Sequence, residues 1–265
     1  MNKIATIDTR LWQLGIMAGL LLVGVLARDF SLLPSQVVLT FVSGLLTQAL
    51  FLHFLTISQR SFLSTAITCL GLCLLLRSAN LWVHPVVVSL AIASKFIIRP
   101  FNTHLFNPAN LGVILGLSFF PETWITSGQW GADLTTALWL IAAGFFVTRN
   151  AQRLDITTYF LIAYAFLFLS IRIFWYGYPL AVFFHQFQNG ALLLFAFFMI
   201  SDPMTTPHRR LGRLIHAILV ALIAYSWQYW LYWNQGIIWG LFWATFFVPL
   251  WNKIFPAPAY QWSSS

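Results

Sequence analysis

The chain has 265 residues, of which 60% are hydrophobic and only 8% are charged, and its formal net charge is +8 at pH 7. This composition excludes a soluble fold with a normal solvated surface and indicates a polytopic helical membrane protein. The basic residues stand singly in short loops and do not gather on one face, which argues against binding to nucleic acid.

Ten apolar segments follow one another along the chain, and each is predicted to form a membrane-spanning helix. The third and fifth are shorter than the roughly 20 residues that a perpendicular helix needs, so they are predicted to be tilted or broken. Because the connections are short and the composition does not shift, residues 1–265 are predicted to form one all-α transmembrane domain. The ten segments are 11–27, 36–56, 62–76, 81–98, 109–120, 132–148, 156–173, 180–200, 212–233 and 236–252.

The distribution of lysine and arginine over the connections predicts the orientation of the helices. With a cytoplasmic N-terminus, eleven basic residues fall on the cytoplasmic side and three on the other, as the positive-inside rule requires. We therefore expect an even number of spans and two cytoplasmic termini, in a bacterial inner membrane or a thylakoid membrane. The eleven are Lys3, Arg10, Arg60, Lys95, Arg99, Arg149, Arg153, Arg209, Arg210, Arg213 and Lys253, and the three are Arg28, Arg77 and Arg172.

Residues 95–110, KFIIRPFNTHLFNPAN, separate the fourth segment from the fifth. Two prolines make the backbone irregular, so its polar groups need partners. Lys95 and Arg99 lie four residues apart and share a helix face. Together with the amides of Asn107 and Asn110, they either hold an anionic group such as a flavin phosphate, or form an ordinary loop with interfacial cations.

Residues 121–131, PETWITSGQWG, form the loop after the fifth segment. Its Trp124 and Trp130 either stack on a planar ligand ring or line the membrane interface. Two histidines of later segments, His185 and His216, are candidate ligands of a haem or a pigment, or they bond to neighbouring backbone groups. No further metal site is predicted.

Residues 197–210, FFMISDPMTTPHRR, end the eighth segment. Asp202 precedes a proline, which disfavours helical backbone at this position, so a helix is predicted to end there beside the loop of Asn107 and Pro108. The Asp202 carboxylate either caps the following turn or serves an ion or proton path.

These two loops carry a resemblance to a known family. Lys95, residues 104–110 (HLFNPAN), residues 183–207 and the GRLI that begins at Gly212 resemble the membrane D subunit of Rnf-type electron-transport complexes and the related B subunit of the sodium-pumping NADH:quinone reductase. The compact length is similar to that of short relatives found beside enediyne-type gene clusters. The resemblance covers most of the chain from about residue 70 onward. It implies ten helices in two inverted five-helix repeats, as in urea transporters, and it adds His104, Thr205 and Thr206 to the candidate cofactor-binding residues.

The resemblance also implies a flavin. Long members of the family attach flavin mononucleotide to a threonine of an outer-loop Ser-Gly-Ala-Thr motif. The corresponding residues here are Ser127, Gly128, Gln129 and Trp130, and a tryptophan cannot form the phosphoester. A noncovalent flavin, either FMN or riboflavin, with Trp124 and Trp130 as stacking groups is therefore expected. The hydroxyls of the nearby Thr126, Thr135 and Thr136 stay open as attachment points.

Three functions are compatible with the sequence. The first is a membrane subunit of a redox or redox-linked transport assembly, which carries electrons through a flavin-type cofactor or supports partners that do. Because the sequence lacks a nucleotide fold, iron–sulfur ligands and a nicotinamide site, this subunit would not be an enzyme on its own and would need partner subunits. The alternatives are a channel or transporter for a small solute or ion, and an accessory or assembly subunit of a larger membrane complex such as a photosynthetic one.

Overall fold

The computed structural model describes residues 8–28, 30–55, 61–100, 103–126, 129–131 and 133–262. Within these ranges the chain forms twelve helices and one two-stranded antiparallel sheet. The helices are α1 (Thr9–Ala27), α2 (Pro34–Phe54), α3 (Leu63–Leu75), α4 (Val83–Ile97), α5 (Pro108–Phe119), α6 (Leu134–Asn150), α7 (Leu154–Trp175), α8 (Leu180–Phe187), α9 (Gly190–Met199), α10 (Arg210–Tyr229), α11 (Gly236–Thr245) and α12 (Val248–Ile254), and the strands are β1 (Leu76–Ser78) and β2 (Thr123–Ile125).

Several of these helices are long and apolar enough to cross a membrane. Within the described residues they are α1, α2, α7 and α10, and the count rises to six if the bent pairs α8–α9 and α11–α12 each form one span. Three further apolar helices, α3, α4 and α5, are shorter than 18 residues. The protein is therefore an integral membrane protein, and length alone supports four to six crossings.

A helix lies at each of the ten predicted segments, but two segments are not single helices. The chain bends by 51° between α8 and α9 and by 49° between α11 and α12. At the first bend Asn189 caps α9, since its Oδ1 accepts a hydrogen bond from the N–H of Ala191 at 2.9 Å. At the second, Pro249 lies in the first turn of α12. Neither break was predicted from the sequence, although His185, Gln186, Gln188 and Asn189 interrupt the apolar residues at the first one.

The small sheet is a second departure from the all-α prediction. It forms where α3 stops, because Thr126 donates from its N–H to Leu75 O at 2.9 Å and from its hydroxyl to Leu74 O at 2.8 Å. β1 then pairs with β2, and Arg77 lies opposite Trp124. The carbonyls freed at the end of a buried helix need such partners. Strands of three residues are too short to show a periodic pattern in the sequence.

The core of the bundle surrounds two short helices. Every residue of α9 is buried, as is every residue of α3 from Thr68 to Leu75. By contrast, only 17% of the residues in the most apolar 18-residue stretch of α1 are buried, and 22% of those in α2. These helices therefore present apolar side chains to the lipid. The helix pairs of the two halves are alike: α1 packs on α3, α2 on α4 and α4 on α5, whereas α6 packs on α9, α7 on α10 and α10 on α11.

Candidate functional site

A contact between Asn107 and Asp202 joins the start of α5 to the end of α9. Asn107 caps α5, because its Oδ1 accepts a hydrogen bond from the N–H of Asn110 at 3.0 Å. Its Nδ2 donates to Met199 O and to Asp202 Oδ2, both at 3.3 Å. The predicted helix end beside the Asn107 loop is therefore confirmed, since α9 ends at Met199. We call this end of the bundle the Asp202 end.

The Asp202 carboxylate organises the turn that follows α9. Its Oδ1 accepts a hydrogen bond from the N–H of Met204 at 3.1 Å, and its Oδ2 accepts one from the hydroxyl of Thr205 at 3.2 Å. The capping role considered from the sequence is present in this geometry. Asp202 is nevertheless half-buried and lines a crevice, so the carboxylate also faces an internal space.

The crevice beside Asp202 is narrow. Its volume is about 70 Å³, which suits an ion or a few water molecules and is far below the ~300–1,000 Å³ of pockets for drug-sized ligands. Its walls come from α1, α3, the α5 cap, α6 and α9. The polar side chains among its lining residues are Arg10, Gln13, Ser64, Thr68, His104, Asn107, Ser201, Asp202 and Trp262. This crevice therefore does not fit a flavin ring. A second pocket at the same end, of about 360 Å³, is lined by His104, Thr205 and Thr206 among others.

Lys95 and Arg99 lie in different surroundings, and whether they hold an anionic group stays a prediction. Lys95 is half-buried and its Nζ donates to Ser64 Oγ at 3.3 Å and, more weakly, to Gln48 Oε1 at 3.5 Å. Arg99, one turn later and just beyond the end of α4, is exposed. Burial lowers the pKa of His104 to about 4, although Asp202 opposes this shift, so its imidazole is neutral at pH 7. Of these three residues, His104 lines the crevice, whereas Lys95 and Arg99 are not among its lining residues.

The two tryptophans of the predicted stacking pair lie in different surroundings. Trp130 is 1% exposed and meets the ring of Phe30 edge-on, with ring centroids 4.9 Å apart. Trp124 is 44% exposed on β2. β2 holds Trp124 at the surface, whereas Trp130 packs into the core. Stacking of these rings on a ligand stays a prediction. Ser127 and Gly128 lie outside the described residues.

The predicted cofactor residues fall into two separate groups. Asn107 precedes α5 and the tryptophans follow it, and a helix of 12 residues is ~18 Å long. No single flavin ring can contact both ends of α5. We call the end of the bundle with the second group the Trp130 end. The sequence placed both groups on one list because it does not reveal that α5 holds them apart.

A larger groove opens at the Trp130 end, between α1 and α6. Its volume is about 640 Å³, and Arg28, Trp130, Thr135, Thr136 and Trp139 line its more polar part. The indole N–H of Trp130 is buried and has no hydrogen-bond partner in the part of the chain that the structure describes. Trp130 and the open threonine alternatives Thr135 and Thr136 were the hints of this groove in the sequence.

Charged groups fix the polar end of this groove. Arg28 Nη2 donates to Asp133 Oδ2 at 2.8 Å and also to the hydroxyl of Thr136. Asp133 caps α6, and the hydrogen bonds from the backbone and side chain of Thr136 lower its pKa to about 2, with a smaller contribution from Arg28. The groove therefore combines a charged mouth with an apolar interior.

The other predicted site residues hold the fold together or stand apart. Thr206 accepts a hydrogen bond from Arg153 Nε at 3.0 Å, and Asn110 Nδ2 donates to Ile238 O at 3.0 Å. His185 is exposed on α8, while His216 is fully buried on α10. Within the described ranges no three His, Cys, Asp or Glu side chains are grouped as metal ligands. Pigment or haem ligation by these histidines stays a prediction.

Comparison with protein families gives one match. A model of the NQR2, RnfD, RnfE family matches residues 123–260, which is more than half of the chain. Among curated proteins, none matches the chain. The matched part contains Trp130 and Asp202, whereas Asn107 lies before it.

Proposed function

The chain belongs to the NQR2, RnfD, RnfE family, and we propose on this premise that it is an electron-carrying membrane subunit that binds a flavin without a covalent link. Proteins of this family are subunits of redox-linked membrane complexes. The observation that carries the proposal is the unpartnered indole N–H of Trp130 at the groove between α1 and α6. A carbonyl oxygen of a flavin ring would supply the missing acceptor.

Covalent attachment at the family's usual position does not fit the residues present. Trp130 has no hydroxyl, and the hydroxyl of the nearby Thr126 is buried and donates to Leu74 O. The Thr136 hydroxyl is engaged by Arg28 and Asp133. Thr135 is exposed and lines the groove, so its hydroxyl stays open as an attachment point. A noncovalent flavin fits better, since a groove of about 640 Å³ lies within the ~300–1,000 Å³ typical of small-molecule sites.

The groove residues have separable tasks in this proposal. A bound flavin would accept and pass on one or two electrons. Trp130 orients the ligand by donating from Nε1, and the exposed ring of Trp139 offers a surface for stacking. Arg28 brings a positive charge to the mouth, which favours an electron-rich ring or a phosphate. The apolar side chains of α1 and α6 limit the access of water.

Substitution of the indole donor tests this assignment. Trp130→Phe keeps an aromatic ring in the core but removes the N–H, so we expect the flavin content of the purified protein to fall severalfold. Trp124→Phe, at the exposed tryptophan of β2, is the matched control and should keep the wild-type content. The measurement is the ratio of flavin to protein after isolation with native partners in mild detergent. Equal flavin contents in both variants, or a flavin-free wild type with no redox-active partner, would contradict the proposal.

We also propose the ten-span architecture with two inverted repeats and both termini in the cytoplasm. Two facts support it: the pattern of helix pairs recurs with an offset of five spans, and both halves contain a short buried helix followed by irregular backbone. Cysteines introduced at the exposed positions Arg209 and Trp175 should then react with impermeant reagents from opposite sides of the membrane. Labelling of both from the same side would rule this topology out.

A second candidate function, passage of a small ion or solute, is supported by one further observation. A pocket of about 370 Å³ at the Trp130 end has Leu75 in common with the crevice at the Asp202 end. Its amide side chains are Gln186, Asn189, Gln228, Asn234 and Gln235. Leu192 lines this pocket and Leu194 lines the crevice, so the two spaces approach each other at apolar side chains of α3 and α9.

Widening this constriction tests the second function. In liposomes that contain only this chain, Leu75→Ser should raise the flux of sodium ions or protons severalfold, and adding Asp202→Asn should lower it again. Leu211→Ser, at an exposed position of α10, serves as the control. If neither wild type nor Leu75→Ser exceeds protein-free liposomes, this chain does not form a path by itself.

A further inference from the structure

A basic pocket lies where α6 ends and α7 and α10 begin. Its volume is about 730 Å³, and residues 258–261 of the segment after α12 close one side. Four guanidinium groups line it, while Asp155 is the one carboxylate among its lining residues, which gives a net of three positive charges. The lining side chains that carry or can carry charge are Arg149, Arg153, Asp155, His208, Arg210, Arg213 and Tyr260.

The carboxylate of Asp155 is already occupied by one arginine. Arg213, which is 6% exposed, bonds to it through Nη2 at 2.6 Å and Nε at 3.0 Å. Its Nη1 donates to His208 O at 2.6 Å. Arg210 lies 3.9 Å from the same carboxylate oxygen, but its side chain is 85% exposed, so this contact is weak. Asp155 therefore leaves most of the positive charge of the pocket uncompensated.

Arg153 is the buried cation of the pocket. It is 5% exposed and its hydrogen bonds go to neutral oxygens, with Nε donating to Thr206 Oγ1 at 3.0 Å and Nη1 to Gln152 O at 3.0 Å. The ring of Tyr260 lies 4.8 Å from its guanidinium carbon. Burial, reinforced by Arg213, lowers its pKa to about 10, so it is charged at pH 7. A buried charge without an opposite charge is unfavourable, and an anion in the pocket would offset that cost.

Two further donors complete the rim. Arg149 is exposed, and its guanidinium group makes no hydrogen bond or ion pair with any described residue. His208 Nδ1 is buried and has no partner within the same ranges. Burial, followed by Arg153 and Arg213, lowers the pKa of His208, so its imidazole is neutral at pH 7 and can offer one N–H. The pocket thus combines the buried cations Arg153 and Arg213 with the exposed cations Arg149 and Arg210.

We propose that this pocket binds the phosphate group of an anionic ligand, with Arg149 and Arg210 closing on it from the rim. Planar guanidinium groups bind the oxygens of phosphate in bidentate pairs. Several of them around one concave surface therefore indicate an anion site, beyond their contribution to the positive-inside rule. The pocket lies at helix ends, where anionic lipid headgroups and free phosphates both have access. This site is far along α6 from the flavin groove and does not depend on it.

The experiment compares lipid and soluble phosphate on the full chain, delipidated in mild detergent. The probes are phosphatidylglycerol against phosphatidylcholine, detected by native mass spectrometry, and inorganic phosphate or pyrophosphate against chloride at equal ionic strength, detected by thermal protection. Arg149→Gln with Arg210→Gln should weaken binding of the effective probe about tenfold. Arg209→Gln removes an equally exposed charge next to the pocket and should leave binding unchanged.

The outcomes separate the sources of the phosphate. Preferential binding of phosphatidylglycerol identifies a lipid headgroup, whereas protection by phosphate or pyrophosphate alone identifies a soluble ligand, and either supports the site. The double variant replaces exposed side chains, and its unfolding temperature without added ligand should match that of the wild type, which reports on its folding. Equal binding of charged and zwitterionic probes, or an equal loss in the Arg209→Gln control, would overturn the proposal.

Discussion

Asp133 performs two tasks at the first turn of α6. Its Oδ1 accepts the N–H of Thr136 at 2.9 Å, which caps the helix, and its Oδ2 accepts Arg28 Nη2 at 2.8 Å, which ties α1 to α6. A neutral side chain can also cap a helix, but the ion pair with Arg28 needs the ionised carboxylate, so the mouth of the flavin groove depends on the charge of one residue.

The ionisation of Asp133 predicts an acid dependence of stability. Its pKa of about 2 in the folded protein lies below the ordinary value of 3.8, so its contribution is complete above about pH 4 and is lost as the pH falls towards 2. Asp133→Asn keeps a capping side chain but cannot titrate. We expect the difference in unfolding temperature between wild type and variant to shrink between pH 4 and pH 2, and a constant difference would contradict this role.

At the residue scale, the sequence predicted local backbone conformation and capping better than it predicted side-chain contacts between distant residues. The proline after Asp202 and the capping amide of Asn107 are visible in the sequence because they act on neighbouring residues. The hydrogen-bond partners of Lys95 were not visible, since Ser64 and Gln48 belong to other helices. The burial of Trp130 likewise depends on Phe30, which is distant in sequence.

At the scale of elements, the crossing of α6 and α9 controls the centre of the bundle. Gly144 of α6 faces Phe197 of α9 so closely that an added Cβ would clash with the side chain. Small residues at such crossings let two backbones approach each other in a membrane protein. The same α6 lines the groove at one end and the crevice at the other, so this contact supports both sites.

Gly144→Ala should therefore destabilise the protein by about 1–3 kcal/mol, because the methyl group forces Phe197 or the helix to move. Gly15→Ala in α1 is the matched control, since nothing lies within 4 Å of its added Cβ. It should be neutral or slightly stabilising through helix propensity. Thermal unfolding in one detergent measures both variants, and equal unfolding temperatures would contradict the close crossing.

The elements themselves were largely predictable, because apolar runs in a membrane protein mark helices with little ambiguity. The breaks were predictable only where chemistry changes, as at Asp202. The bend before α9 depends on Asn189 and Gly190, which follow the polar residues His185, Gln186 and Gln188, and it was missed. The pairing of β1 with β2 was also missed, because it satisfies carbonyls whose lack of partners only the three-dimensional arrangement reveals.

At the scale of the whole molecule, three sites lie apart along the bundle. The groove for the proposed flavin is at the Trp130 end, the crevice of Asp202 is at the other end, and the basic pocket lies near the start of α7. Proteins of this family are subunits of redox-linked membrane complexes. The accessory role considered from the sequence needs none of these sites, so a bound redox cofactor separates the two accounts.

The most direct test of the central claim is to denature the purified native protein and determine where its flavin goes. Intact-mass spectrometry of the chain and fluorescence of the protein-free supernatant answer this together. A noncovalent flavin predicts a chain of unmodified mass and a flavin released in proportion to protein. A chain whose mass is increased by a flavin nucleotide, or a protein that yields no flavin in either fraction, would contradict the account.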